Sequence, residues 1–507
     1  MTSLSKLKKI ADENEKIRER LNTDFYLKDV TVKLNNGTFA NPFMIVKQFI
    51  IDKGLKLYGG QALHMLLKKH KAGFYKSNQL PDYDVFSPDA WNHAKELADL
   101  FKKLGFYYIE ARASILNDEH HKTFKVAVDT KFVIDITQAG CSKKQYNEKD
   151  CKTCGIDSKG NCHMLFDHIP AVNYNSKKDV MTLYRDTHNY DKNVSRYPNK
   201  LFICHPEWLL SSMYRELTEP FSQPERLPKV ASRLEVFKRF YELKLRTCST
   251  DDYMQNIVPK HKPMLKTIGN FVKKEKLINY GATAFNFFVK GSKDIGGLHI
   301  SDYKVYVDAD TSELLYEEES VLLKLLNLLK KKYPKHKFKI IQKHSYWKEH
   351  LDDDIILLVK VGNKYNSLIT FTVSEKNCVP YIQYNGVRYV TVDKLKYLYY
   401  KALSVPEFYK LVENDQLNYR CLLNNILKSE KKYKTKKRSK FRQFVKKGCK
   451  EWRIGKREDK LIAKYNSKIA SLKKTKYYKN KPKKGYITKV SPISNDDLYL
   501  PYYPINN

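Results

Sequence analysis

Apolar residues recur along the chain with two periods, and the change from one to the other marks its elements. Leu4, Leu7, Ile10, Ala11, Ile17 and Leu21 fall at helical spacing and predict an amphipathic helix over 4–22. A second helix is expected from Pro42 to Lys53, followed by the short apolar run Leu55-Lys56-Leu57-Tyr58 that reads as a strand end. Gly59-Gly60 turns that strand into a helix from Gln61 to His70. Leu80-Pro81-Asp82-Tyr83-Asp84-Val85-Phe86 then alternates polar and apolar positions, so that Asp82 and Asp84 share one face of a strand while Tyr83 and Val85 point into the core. Ser87-Pro88 opens and Gly105 closes a helix over Asp89 to Leu104. Strands are expected at Phe106 to Ala111, Lys122 to Val128 and Phe132 to Ile136, the last two joined by a turn at Asp129-Thr130. Two helices follow, His205 to about Thr218 and one presenting Leu234, Phe237 and Phe240.

The pattern then repeats. Leu55 to Leu63 is answered by Leu277-Ile278-Asn279-Tyr280-Gly281-Ala282-Thr283-Ala284-Phe285, and Pro81 to Phe86 by Ser301-Asp302-Tyr303-Lys304-Val305-Tyr306. Similar pieces in the same order predict a duplicated domain over 277–373. The acids do not survive the duplication: Asp84 becomes Lys304, and Phe371 is expected where Asp135 stands. Helices at Val392 to Ala402 and Leu417 to Lys428 follow this second copy.

The chemistry lies in the first copy. A strand turning through glycines into a helix aims free backbone N–H groups at an anion such as a triphosphate. Two carboxylates on one strand face repel each other unless a divalent cation sits between them, and hard ions such as Mg²⁺ pair carboxylates with substrate phosphates. Asp135, a lone acid in the apolar strand Phe132-Val133-Ile134-Asp135-Ile136, is the third carboxylate that such a site needs.

Gly59-Gly60, Asp82-x-Asp84 and Asp135, in this order, resemble the signature of the nucleotidyltransferase fold shared with DNA polymerase β, and within it the poly(A) polymerase catalytic subunits of large cytoplasmic DNA viruses, of giant-virus and poxvirus type. The resemblance implies an α+β chain with two tandem nucleotidyltransferase-like domains, the first active and the second degenerate. It divides the chain into an N-terminal helical segment (1–54), a catalytic domain with helical extension (55–250), a linker (251–275), the degenerate domain (276–427) and a basic C-terminal region (428–507). It implies polynucleotide adenylyltransferase activity: template-independent transfer of AMP from ATP to the 3′ end of viral mRNA, with pyrophosphate released. Asp82, Asp84 and Asp135 would hold two divalent cations, Mg²⁺ or Mn²⁺, and Gly59 and Gly60 the terminal phosphates. The interval from Gly60 to Asp82 exceeds the family's usual spacing, which marks 72–79 as an insertion. The resemblance also implies a homodimer or a separate processivity or capping partner, and a place in the host cytoplasm or the virion. A uridylyl- or CCA-adding transferase would show the same triad; a catalytically inactive RNA-binding scaffold is set aside because the first triad is intact.

Composition sharpens this reading. The 507 residues carry 94 Lys or Arg against 56 Asp or Glu, a net charge of +38, which calls for a polyanionic partner such as RNA. From 428 to 489 there are 26 basic and 4 acidic residues, more than half of the excess. Tyr433, Phe441, Phe444, Trp452, Tyr465, Tyr477, Tyr478 and Tyr486 are interleaved there, a mixture suited to single-stranded RNA held without sequence preference. A solubilising tail or a nuclear address would share the charge. Arg226, Lys229 and Arg233 form a cationic helix face able to hold the triphosphate or the RNA backbone, or simply to meet solvent. Cys141, Cys151, Cys154, Cys162 and His163 have the ligand types of a structural zinc site, though ordinary reduced cysteines are the alternative. No apolar run reaches bilayer length, and residues 1–9 lack the apolar core of a secretion signal, so reduced thiols and no membrane are expected.

Overall fold

The computed structural model describes residues 32–33, 39–40, 42–75, 82–114, 123–128, 131–139, 166, 169–175, 180–184, 201–218, 226–243, 262–290, 297–298, 300–308, 320–343, 353–374, 379–404, 413–433, 440–441 and 502–503. The expected helix over 4–22, the Cys141–His163 group and most of the basic region fall outside these residues. Two compact units are formed, Leu4–Leu209 with Arg453–Asn507 and Met1–Ser3 with Leu210–Trp452.

The first unit is built on a nine-stranded sheet. Its strands are β1 (Lys56–Tyr58), β2 (Asp84–Ser87), β3 (Glu110–Ala113), β4 (Thr123–Val128), β5 (Lys131–Gln138), β6 (Ala171–Asn175), β7 (Val180–Tyr184), β8 (Leu201–Cys204) and the edge pair Tyr502–Tyr503. Starting from that edge pair, the order is β3, β4, β5, β2, β1, β8, β6, β7. Three helices pack on it: α1 (Pro42–Asp52), α2 (Gly59–Lys68) and α3 (Ala90–Lys103). Helix α3 shows why the punctuation was readable. Ala90, Ala94, Leu97, Ala98 and Phe101 bury one face, Ser87 Oγ accepts from the Asp89 N–H at 3.0 Å ahead of it, and Gly105 closes it with φ +85°, the left-handed position that glycine occupies without strain.

Two expected boundaries shift. Helix α2 begins at Gly59 itself, so the two glycines are its first turn and not a loop before it. Strand β3 begins at Glu110 and not Phe106, because Tyr108 takes φ +48° and breaks the extended run that Phe106–Ile109 would otherwise continue.

Helix α4 (Pro206–Thr218) carries the chain across the unit boundary to α5 (Arg226–Tyr241) and α6 (Lys262–Lys274). The second sheet follows: β9 (Ile278–Tyr280), then helix α7 (Gly281–Val289), β10 (Tyr303–Asp308), helix α8 (Val321–Lys332), β11 (Phe338–Lys343), β12 (Asp353–Val361), β13 (Lys364–Ser374), β14 (Tyr381–Tyr384) and β15 (Val387–Val390). Its order is β11-β12-β13-β10-β9-β15-β14. Matched in chain order, this is the order β3-β4-β5-β2-β1-β8-β6 of the first sheet, with parallel pairs at the same two places, β2 with β5 and β1 with β8. Chance does not produce the same order and the same directions over seven strands.

Helices α9 (Val392–Ser404) and α10 (Glu413–Tyr433) complete the second unit. The start of the basic region is fastened to it: Lys440 Nζ donates to the carbonyls of Phe287 at 2.7 Å and Lys290 at 3.0 Å, at the end of α7. Burial, with Lys290 nearby, draws the Lys440 pKa down to about 8. No helix among the described residues is long and apolar enough to cross a membrane. Among the described residues Cys204 is free and buried, whereas Cys421 is disulfide-bonded, which corrects the expectation of reduced thiols throughout.

A buried ion pair joins the last two helices. Lys396 of α9, fully enclosed, meets the Glu430 carboxylate of α10 and lies 3.9 Å from Asp393. Burial alone would lower the Lys396 pKa, but Glu430, Asp393 and Glu242 hold it above its usual value. Lys396→Met strands a buried carboxylate and should cost about 3 kcal/mol or more in denaturant unfolding, with Lys396→Met/Glu430→Leu recovering much of it. Because the folded-state pKa is raised, the pair's stabilisation is complete below the ordinary lysine pKa and is lost as pH rises through the folded value.

Candidate active site

One row of residues crosses four strands of the first sheet. Tyr58 on β1 is the register partner of Asp84 on β2, Asp84 of Asp135 on β5, and Asp135 of Lys125 on β4. Register partners on adjacent strands project from the same face of the pleat, so the two acids and the lysine stand side by side. Behind them Tyr83, Val85, Ile134 and Ile136 are buried, as the alternation predicts. Burial pushes the Tyr83 hydroxyl up to about 12, which leaves it neutral.

The glycine turn and the second acid depend on each other. Gly59 has φ +67°, and a Cβ there would lie 2.1 Å from Asp84 Oδ2. The carboxylate thus occupies the space that any side chain at 59 would take. Tyr58, at φ −131° and ψ −166°, precedes α2 without a capping hydrogen bond from its own side chain, and the first turn of α2 opens beside Asp84. Tyr58 is held by its hydroxyl, 2.8 Å from Thr137 Oγ1, and by stacking on Phe86 at 4.1 Å. Thr137 in turn meets Thr123 Oγ1 at 2.9 Å.

The expected residues are met in part. Asp84 and Asp135 are adjacent and partly exposed. Asp82 lies two residues ahead, before β2 begins, and is exposed. Among the described residues no three His, Cys, Asp or Glu are gathered closely enough to enclose a metal. Instead Asp135 Oδ2 is ion-paired with Lys125 Nζ, each side chain about a quarter exposed at 25% and 24%. Arg226 opens α5, and Lys229 and Arg233 follow on it partly buried; all three belong to the other unit. Lys125 was missed by the sequence reading, although it gives the signal that exposed Asp135: one charge in an otherwise apolar strand, Phe124 to Val128.

The second sheet has the equivalent row Tyr280, Lys304, Thr370 and Ile356. Register therefore puts Thr370, and not Phe371, opposite Asp135; Phe371 corresponds to Ile136 and is fully buried. A slip by one residue exchanges the two faces of the strand, so Thr370 lies on the face of Asp135 and Phe371 on the core face. The scaffold of the row is kept. Tyr280 has φ −132° and ψ −166°, its hydroxyl is 2.6 Å from Thr372 Oγ1, it packs on Tyr306 at 4.8 Å, and Gly281 has φ +63° with Lys304 Cδ 3.2 Å from the Cβ position.

Proteins carrying poly(A) polymerase catalytic subunit as a provisional name are similar to this chain. One from African swine fever virus, strain Badajoz 1971, is 36% identical over 43% of this chain and 33% of its own length; one from Acanthamoeba polyphaga mimivirus is 26% identical over 25% and 22%. The matched stretch thus spans a third or less of those relatives. In fold the chain resembles the Megavirus polyadenylate synthase, with a TM-score of 0.62, 16% identity and coverage of 91% of this chain and 83% of that one. Residues 44–169, which contain Gly59, Asp82, Asp84, Lys125 and Asp135, match the model of the poly(A) polymerase catalytic subunit.

Proposed function

We propose that the chain is a template-independent RNA nucleotidyltransferase that adds AMP units from ATP to RNA 3′ ends. The observation that carries this is the register pairing of Asp84 with Asp135 across parallel β2 and β5, beside the first turn of α2. Asp84 and Asp135 fit a hard divalent cation: both offer carboxylate oxygens, side by side on one face, with a glycine clearing the space of one of them. Asp82, Asp84 and Asp135 would hold two such ions, Mg²⁺ or Mn²⁺, which when bound supply activation of the attacking hydroxyl and neutralisation of the triphosphate.

The rest follows from the chain's own groups. Backbone N–H groups at Gly59 and Gly60 receive the terminal phosphates of ATP. The 3′ oxygen of RNA forms a bond to the α-phosphorus as the bond to the β-phosphate oxygen breaks, the hydroxyl proton leaves to solvent, and pyrophosphate departs. No protein nucleophile is consumed. The second sheet, with Lys304 and Thr370 in place of the acids, is a duplicated nucleotidyltransferase domain without catalysis, serving as scaffold and RNA surface; the family match and the net charge of +38 favour RNA over a small acceptor.

Extension of a short RNA primer with each NTP in turn should proceed with ATP far ahead of the others; equal use of all four bases would refute the adenylyl assignment. Asp84→Asn and Asp135→Asn should each lower the rate at least a thousandfold while leaving the melting temperature close to that of the parent, and an active Asp84→Asn enzyme would refute the mechanism. Gly59→Ala forces the Asp84 carboxylate aside and should lose about a hundredfold or more in activity. Gly281→Ala meets only a flexible lysine stem, so it should cost about 1–2 kcal/mol of backbone strain and no activity per folded molecule.

A further inference from the structure

The ion pair between Lys125 and Asp135 is not required by the fold. In the second sheet the same two register positions are Ile356 and Thr370, and the strands pair in the same order and direction without a charge at either. The lysine is absent where the acid is absent. In the first sheet it stands at the end of the row Tyr58, Asp84, Asp135, Lys125, its ammonium also 5.4 Å from the Phe132 ring centroid. One oxygen of the third acid is therefore already held by a cation, and that cation belongs to the protein.

We propose that Lys125 is a positioning residue, the resident counter-cation of Asp135. It holds the carboxylate in place and keeps the paired acids from repelling each other, and an arriving divalent ion must displace it from Oδ2. Two consequences follow. In the free protein the divalent ion competes with a tethered ammonium and binds weakly. When a nucleoside triphosphate enters, its phosphates offer the displaced ammonium another anion, so ion and nucleotide bind together better than either binds alone. The site would load its metal with the substrate and not before it.

This rests on the reading of Asp84 and Asp135 as metal ligands, and the test separates the two. Mn²⁺ binding to the full chain is titrated by electron paramagnetic resonance, with and without a non-hydrolysable ATP analogue. The parent protein is compared with Lys125→Met, Lys125→Arg and Asp135→Asn, and Lys125→Gln stands in should Lys125→Met melt early. Lys125→Met should bind Mn²⁺ about fivefold more tightly than the parent in the absence of nucleotide, the scale of a partly exposed ion pair, and should lose most of the tightening that the analogue brings. Lys125→Arg should restore the parent's behaviour, which a purely structural role would not require. Equal Mn²⁺ affinity in the parent, Lys125→Met and Lys125→Gln, with Asp135→Asn weaker than all three, would overturn the counter-cation and leave the metal site standing. Mn²⁺ binding no better in the parent or in either Lys125 variant than in Asp135→Asn would overturn the metal site and the counter-cation together.

Discussion

The structure of the first unit turns on one close approach, that of the Asp84 carboxylate to the backbone at Gly59. Strand β1 must hand the chain to α2 so that the helix opens at the acids, and the acid on the neighbouring strand must stand in the same place. Only a residue without Cβ admits both, because the Cβ position lies 2.1 Å from Oδ2. Its φ of +67° adds a second demand for glycine. The backbone of the first turn of α2 and the Asp84 carboxylate are thereby brought side by side. Everything else in the row, from the Tyr58–Thr137 hydrogen bond to the stack on Phe86, fixes β1 and β2 so that this approach is reproducible.

The second sheet separates what the fold needs from what the chemistry needs. It keeps strand order, the tyrosine–threonine hydrogen bond, the aromatic contact behind it and the positive-φ glycine. It changes Asp84 to Lys304, Asp135 to Thr370 and Lys125 to Ile356. The retained features are those of strand-to-helix geometry, and the three changed residues are the charged members of one row. A sheet tolerates those changes because the row lies on the face opposite the apolar positions Val305 and Phe371 that build the core, with Lys304 and Ile356 partly exposed and the buried Thr370 uncharged.

Much of this was legible in the chain. Alternation put Tyr83 and Val85 inside and the acids outside, Ser87 and Gly105 bounded α3, and the order of turn, paired acids and lone acid singled out Asp84 and Asp135, which the sheet sets side by side. What failed did so for physical reasons. Glycines that open a helix and glycines that precede one read alike in sequence, and of this pair only Gly59 takes a positive φ. Tyr108 at φ +48° is a tertiary accommodation that no propensity announces. The register of β13 was misread by one although Thr370 and Thr372 alternate with Ile369 and Phe371, because only pairing with β10 fixes which residue answers Asp135. Lys125 went unnoticed because lysine is so frequent here that one more carries little information, until register sets it against Asp135.

The substitution at Lys304 inverts the electrostatics of an otherwise conserved geometry. In the first row two carboxylates stand together and their repulsion has to be answered by cations, one of which the protein itself supplies in Lys125. In the second row the ammonium stands where the carboxylate was, with Thr370 neutral beside it, so the row carries no repulsion and has no use for a divalent ion. A lysine at that position would repel one. Exchanging the acid for a base puts a positive charge next to the helix opening of α7. Lys125 then had no partner to neutralise, and an isoleucine in its place avoids placing a second ammonium in a row that already contains one.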